Sequence, residues 1–516
     1  MLTRLRVDGF KNLDGVDVRF GPFTCVAGAN GVGKSNLFDA VAFLSALADR
    51  PLMDAAQAVR GGDVRRGDVR SLFRRVGDQV AEEMSFLVEL IIPAKGEDLL
   101  GQQAVASMTF LRYELKLRYR PDPVIAALGT IEVAEESMVH INKSEAPRQL
   151  GFPHKPAWRN SVILGRRTSP YISTEVDEGK TIIALHADSE GGTGGGRPRR
   201  IPAASLPRTM LSSVSNAAEH RTLVLARQEM MSWTQLQLEP SALRAPDGFT
   251  APRSIAPNGA HLPATLFELA QAAERVEPGG SENVLAQMAN RLSELVENVQ
   301  RIRVDIDEKR QLFNVVMTDH QGTEHVAGVL SDGTLRFLAL TIMEADPKSR
   351  RLLCLEEPEN GMHPLRIPAM IRLIEQLAVD PTQAVDDDNP LRQIIINTHS
   401  PSVVAFVPDD ALLVARAARR RRGGQDEVRL VLEHLGKTWR HTLVPDVPTV
   451  TRTDLAAWLE PFKAQAADDA RESESAHLAD ASLAQAGDSS RGQPAPRRRP
   501  RVIDHHQLSL ELVTPP

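Results

Sequence analysis

The chain has 516 residues, 42% of them hydrophobic, enough for several domains around at least one large core. A formal net charge of −6 excludes a global basic field, so contact with nucleic acid would need a local patch. Met1–Asp8 lacks the apolar segment of a secretion signal, and no apolar run reaches the roughly 18–20 residues of a membrane span. Cys25 and Cys354 both sit in apolar runs. A cytoplasmic protein with buried, reduced thiols is expected.

In chain order, Leu5 and Val7, then Val16, Val18 and Phe20, alternate with polar residues. This predicts two half-buried strands joined by a turn over Lys11–Gly15. Phe23–Ala27 reads as a buried strand. Asn36–Asp49 reads as a helix, from the spacing of Leu37, Val41, Leu44 and Leu47. Strand-like runs follow at Met84–Ile92 and Leu111–Arg118. Residues 140–260 are poorer in pattern, with a flexible basic loop over Gly191–Gly196 and Pro198–Arg200. Leu262–Ala273 and Asn283–Val299 read as helices, and Arg301–Ile306 with Leu312–Thr318 as a strand pair. Leu335–Glu344 (helix), Leu352–Leu355 (buried strand), Arg366–Ala378 (helix) and Ile394–Asn397 (buried strand) follow. Ala411–Val414 and Val428–Leu432 are expected as edge strands. Apolar strands alternating with helices predict an α/β fold, its mostly parallel sheet covered on both faces. From about Lys463 apolar residues become rare, and a disordered tail carrying Arg497–Arg501 is expected.

The residues Gly28, Ala29, Asn30, Gly31, Val32, Gly33, Lys34 and Ser35 fit the phosphate-loop pattern G-x-x-x-x-G-K-[ST] at every fixed position. Glycines let backbone N–H groups curl around a polyphosphate. The helix that follows, entered at Asn36, offers free N–H groups and a positive dipole end. Lys34 supplies charge to the β- and γ-phosphates, and Ser35 a hydroxyl to Mg²⁺. Arg351–Glu359 is an apolar strand ending in carboxylates, and strand ends of open α/β sheets face the ligand crevice. Successive strand residues point to opposite sides, so Glu356 and Glu357 are expected to differ. Glu356 is assigned to the Mg²⁺ shell and Glu357 to polarising the attacking water. Ser331 is a good N-cap ahead of a helix, and Gly333 permits close backbone approach. His399 ends the next apolar strand. The serine–glycine start, the acidic end and the histidine follow one another 25 and 42 residues apart.

This order, with Leu330-Ser-Asp-Gly333, Glu356-Glu-Pro-Glu359 and Thr398-His-Ser-Pro401, resembles the ABC-type ATPases. Val7–Asn12, Gly28-Ala-Asn-Gly31, Asn258–Leu262 and the roughly 300 residues between phosphate loop and signature resemble their RecF/SMC/OLD-like branch of DNA-associated and anti-phage ATPases. A transporter subunit has a far shorter gap. The resemblance covers residues 1–50 and 255–405. It implies a P-loop NTPase with an antiparallel β lobe. The implied layout is an N-terminal head part (1–130), an inserted helical or irregular subdomain (131–255), a C-terminal head part (256–415), a small extension (416–462) and the tail (463–516).

ATP and Mg²⁺ are the implied ligands, and a homodimer enclosing ATP is the implied assembly. Asn30 would lie near the γ-phosphate and Lys11 near the phosphates. Ser331 and Gly333 would meet the γ-phosphate held by the other subunit, His399 would sense it, and Asn360–His363 would couple the subunits. Arg336 would act beside the signature. OLD-like nucleases continue into a metal-binding TOPRIM domain, but Ala411–Arg422 carries no carboxylate at the equivalent strand end. Any nuclease activity is therefore expected from a partner effector. DNA remains a candidate partner through Arg65-Arg66 with Arg70, Arg74-Arg75, Arg197–Arg200, Arg419–Arg422 and Arg497–Arg501. An ATP-binding switch with little hydrolysis remains the alternative reading.

Overall fold

Four apolar runs of the sequence become the inner strands of a seven-stranded sheet, ordered Thr234–Leu236, Leu352–Glu356, Gln393–Thr398, Phe23–Ala27, Leu412–Arg422, Gln425–Leu435 and Thr449–Val450. The first five run parallel. Side-chain alternation explains why these runs lack polar positions. Cys25, Leu353, Leu355, Ile394, Ile396, Leu412 and Val414 enter one buried cluster. Val26, Leu352, Cys354, Ile395, Leu413 and Ala415 enter another on the opposite face. The first cluster is closed by the helices Leu262–Val276, Gly280–Ser293, Asp332–Ala345 and Ile367–Leu377. The second is closed by the helix Lys34–Leu47 and an eight-stranded antiparallel sheet. Truncating Ile395 to alanine would cost about 2–5 kcal/mol through lost transfer energy and a cavity.

The computed structural model describes residues 1–59, 69–122, 124, 129–188, 197–346, 351–422, 425–445 and 447–459. Gly191–Gly196, Arg65-Arg66, Arg497–Arg501 and the tail from 463 lie outside them. Met1–Glu460 is gathered by its contacts into one unit. Among the described residues no helix is long and apolar enough to cross a membrane.

The predicted alternation at the N-terminus holds: Leu5 pairs with Val18 and Val7 with Val16 across antiparallel strands. Met84–Ile92 and Leu111–Arg118 form the central strands Glu83–Ile91 and Phe110–Arg120 of the antiparallel sheet. Residues 131–255, read as an inserted subdomain, extend that sheet by Thr130–His140, Ile172–Asp177, Lys180–Leu185 and Arg199–Pro202. They then supply the helix Ala217–Met231 and the edge strand Thr234–Leu236 of the parallel sheet. Ala411–Val414 was expected at a sheet edge, and the structure corrects this. Leu412–Val414 lies inside, between the phosphate-loop strand and Gln425–Leu435. Four apolar neighbours in succession, buried on both faces, suit an interior strand.

Candidate active site

The phosphate loop leaves the strand Phe23–Ala27 at Gly28. Gly28 donates to the Thr398 carbonyl at 3.1 Å, and a Cβ on it would meet the Ala415 carbonyl oxygen at 2.5 Å. Gly33, at φ 107° and ψ 16°, starts the helix Lys34–Leu47 without a capping side chain, so its first N–H groups are left for an anion. Asn12 presses on this glycine. It donates to the Val32 carbonyl at 3.1 Å and accepts from Asn36 at 2.8 Å. Asn12, absent from the expected site residues, is therefore the part of the first turn that reaches the loop. Lys11, expected near the phosphates, is held at 2.8 Å by Asp39, a turn into the helix.

Asn30, Gly31, Gly33, Lys34, Ser35, Asn36, Glu356, Glu357 and Asn397 line one cleft of about 290 Å³. The Lys34 ammonium donates to the carbonyls of Gly28 (2.7 Å) and Ala29 (2.8 Å). Burial lowers its pKa against the opposing pull of Glu357, Glu359 and Glu356. Glu356 accepts from Gln235 at 2.8 Å. Gln235 comes from the edge strand beside the acidic strand, where Gln235 pairs with Cys354. Ser35 and Glu356 present hard oxygen donors on one cleft, a set that suits Mg²⁺.

Glu357 has left the strand conformation, with φ 42°. Its carboxylate accepts from Asn360 at 2.8 Å, and the other oxygen lies 2.7 Å from His399 Nδ1. Burial alone would raise its pKa. The hydrogen bonds from Asn360 and His399, with the charges of His399 and Lys34, outweigh burial and hold it below the usual glutamate value. His399, expected to sense phosphate, thus contacts Glu357 in this chain. Glu359 turns inward: Thr398 donates to it, and burial raises its pKa.

Ser331 caps the helix Asp332–Ala345 by accepting from Thr334 N–H at 3.2 Å. Arg244 pairs with Asp332 and donates to the Leu330 carbonyl at 3.0 Å. Ser331 and Gly333 do not line the cleft that Lys34 lines. Arg336 reaches the Asn360 carbonyl, joining this helix to the acidic strand end. In two of the expected basic patches one arginine is held in internal pairs. Arg74 pairs with Asp14 and Glu427, and Arg200 with Glu175 and Asp177. Arg197, Arg419 and Arg421 are exposed.

The family described as AAA domain, putative AbiEii toxin, Type IV TA system matches residues 23–100 and 151–405. The chain belongs to this family. Its motifs are those of an ABC/AAA ATPase of the RecF/SMC-like type. Direct comparison with curated proteins gives no match. Among solved structures, an Smc head bound to the C-terminal winged-helix domain of ScpA is 14% identical with a TM-score of 0.42, covering 83% of this chain and 98% of its own. An Smc head with an extended coiled coil, bound to the C-terminal domain of ScpA from Pyrococcus furiosus, is 11% identical (TM-score 0.38; 83% and 96% covered). The SMC head domain of Thermotoga maritima is 11% identical (TM-score 0.35; 83% and 98% covered).

Proposed function

We propose that the chain hydrolyses ATP and works as an ATP-gated dimer in a DNA-related process, repair or anti-phage defence, beside a partner effector. The observation that carries the reading is the single cleft joining Lys34 and Ser35 to Glu356 and Glu357. Loop N–H groups and Lys34 would hold the β- and γ-phosphates, and Ser35 and Glu356 would hold Mg²⁺. When bound, that ion offsets phosphate charge. Water attacks the γ-phosphorus as the bond to the bridging oxygen breaks. Glu357 takes the water proton, ADP carries away the bridging oxygen, and phosphate departs. Ser331 and Gly333 stand outside their own chain's cleft, which supports their service to a second subunit. Membership of a family tied to Type IV toxin–antitoxin systems supports a partner effector.

A switch with little hydrolysis is the second reading, favoured by one observation. Both Glu357 oxygens are already engaged, by Asn360 and His399. Mixing two inactive variants tests the shared site. Lys34→Ala and Ser331→Arg each abolish turnover, and the mixture regains part of it, because one of the two sites in each mixed dimer is intact. A mixture as inactive as its parts would remove the dimeric reading.

A further inference from the structure

We propose that Asn397 is a positioning residue for hydrolysis, fixing the Glu357 peptide in its left-handed conformation so that the carboxylate stays at the cleft. The inference rests on reading the cleft as a site of ATP hydrolysis. Asn397 stands beside Glu356 in the parallel pairing of their two strands. Only 2% of its surface is exposed, yet it lines the cleft. An amide is costly to bury at the end of a strand whose preceding residues are Ile394, Ile395 and Ile396, unless it is hydrogen-bonded.

The bond it makes is specific. The Glu357 N–H donates to the Asn397 carbonyl at 3.1 Å and to the Asn397 side-chain oxygen at 3.0 Å. Regular strand pairing supplies only a carbonyl acceptor, so the side chain adds a second one at the residue where the acidic strand turns. Glu357 has φ 42°, a conformation that strains residues with a Cβ. That strain and one hydrogen bond are of the same order, so the second acceptor decides how firmly the conformation is held. The left-handed turn is what presents Glu357 to Asn360 and His399 at 2.8 and 2.7 Å. Released from Asn397, the residue relaxes toward the extended conformation and its carboxylate leaves both partners.

The test is a double-mutant cycle on the full chain. It measures steady-state kcat, or the single-turnover rate for slow variants, together with the Kd of MgATP and the melting temperature. Asn397→Ala should lower kcat at least tenfold with Kd changed less than about twofold. Combined with Glu357→Gln, it should be no slower than Glu357→Gln alone, because both remove the same contribution. Should the alanine variant fail to fold, Asn397→Val, a good strand former, must show the same pattern. An unchanged kcat would overturn the proposal. So would a Kd weakened in step with kcat, or losses that multiply in the double variant. A wild-type chain without turnover would overturn the hydrolase reading and this proposal together. An active wild type with an unaffected Asn397→Ala would overturn only this one.

Discussion

Two glycines of the phosphate loop, both at positive φ, should respond very differently to alanine. Gly31 has φ 78° and nothing within 4 Å of an added Cβ, so Gly31→Ala incurs the conformational penalty alone, about 1–2 kcal/mol. Gly33 has φ 107°, and an added Cβ would lie 2.1 Å from Asn12 Nδ2. Relieving that clash means moving Asn12 and breaking its bonds to Val32 and Asn36. Each bond contributes about 0.5–1.5 kcal/mol. Gly33→Ala should therefore cost about 1–3 kcal/mol more than Gly31→Ala, roughly a 5- to 150-fold larger rise in Kd. The assay is equilibrium titration with a fluorescent ATP analogue in Mg²⁺, with melting temperatures to confirm folding. Equal effects of the two alanines would refute the claim that Asn12 clamps the loop.

Gln235→Ala should raise the Mg²⁺ concentration needed for half-maximal turnover severalfold, because Glu356 loses its neighbour at 2.8 Å; a magnesium titration of kcat checks this, and an unshifted midpoint would contradict it. Glu136 is fully buried beneath Met210 N–H, Leu211 N–H and Tyr113 OH, and burial pushes its pKa up to about 7 despite these donors. The folded state then holds its proton more tightly than the unfolded state, so stability falls as pH rises from about 4.5 to 7, by at most about 3 kcal/mol. Denaturant midpoints of Glu136→Gln should lack this part of the slope, and parallel wild-type and variant curves would contradict it.

Much of the parallel sheet was legible in the sequence because its strands are buried on both faces. Runs such as Leu352–Leu355 and Ile394–Ile396 have no polar position to blur them. The phosphate loop and the acidic strand end were legible because spacing and chemistry coincide there. The region 140–260 was not. The Met210 N–H is taken up by the Glu136 carboxylate, and Thr234–Leu236 pairs with Leu353–Leu355, partners far along the chain. Gln235 escaped for the same reason, although Leu236 and Leu238 alternate with Gln235 and Gln237 in a pattern a half-buried strand can carry. Ala411–Val414 was expected at an edge, yet Leu412–Val414 pair with the phosphate-loop strand. Asn12 and Asn397 act through local geometry, a glycine without a Cβ and an N–H in a left-handed turn. Neither leaves a spacing signal.

The proposed role of Glu357 is to activate water in the cleft that Lys34 and Ser35 build. Its most direct test is phosphate release by the wild type and Glu357→Gln at saturating MgATP, with ATP binding measured in parallel. With Glu357 in that role, the wild type turns over, the variant loses at least 100-fold, and both retain ATP binding. Turnover by Glu357→Gln equal to that of the wild type would contradict it.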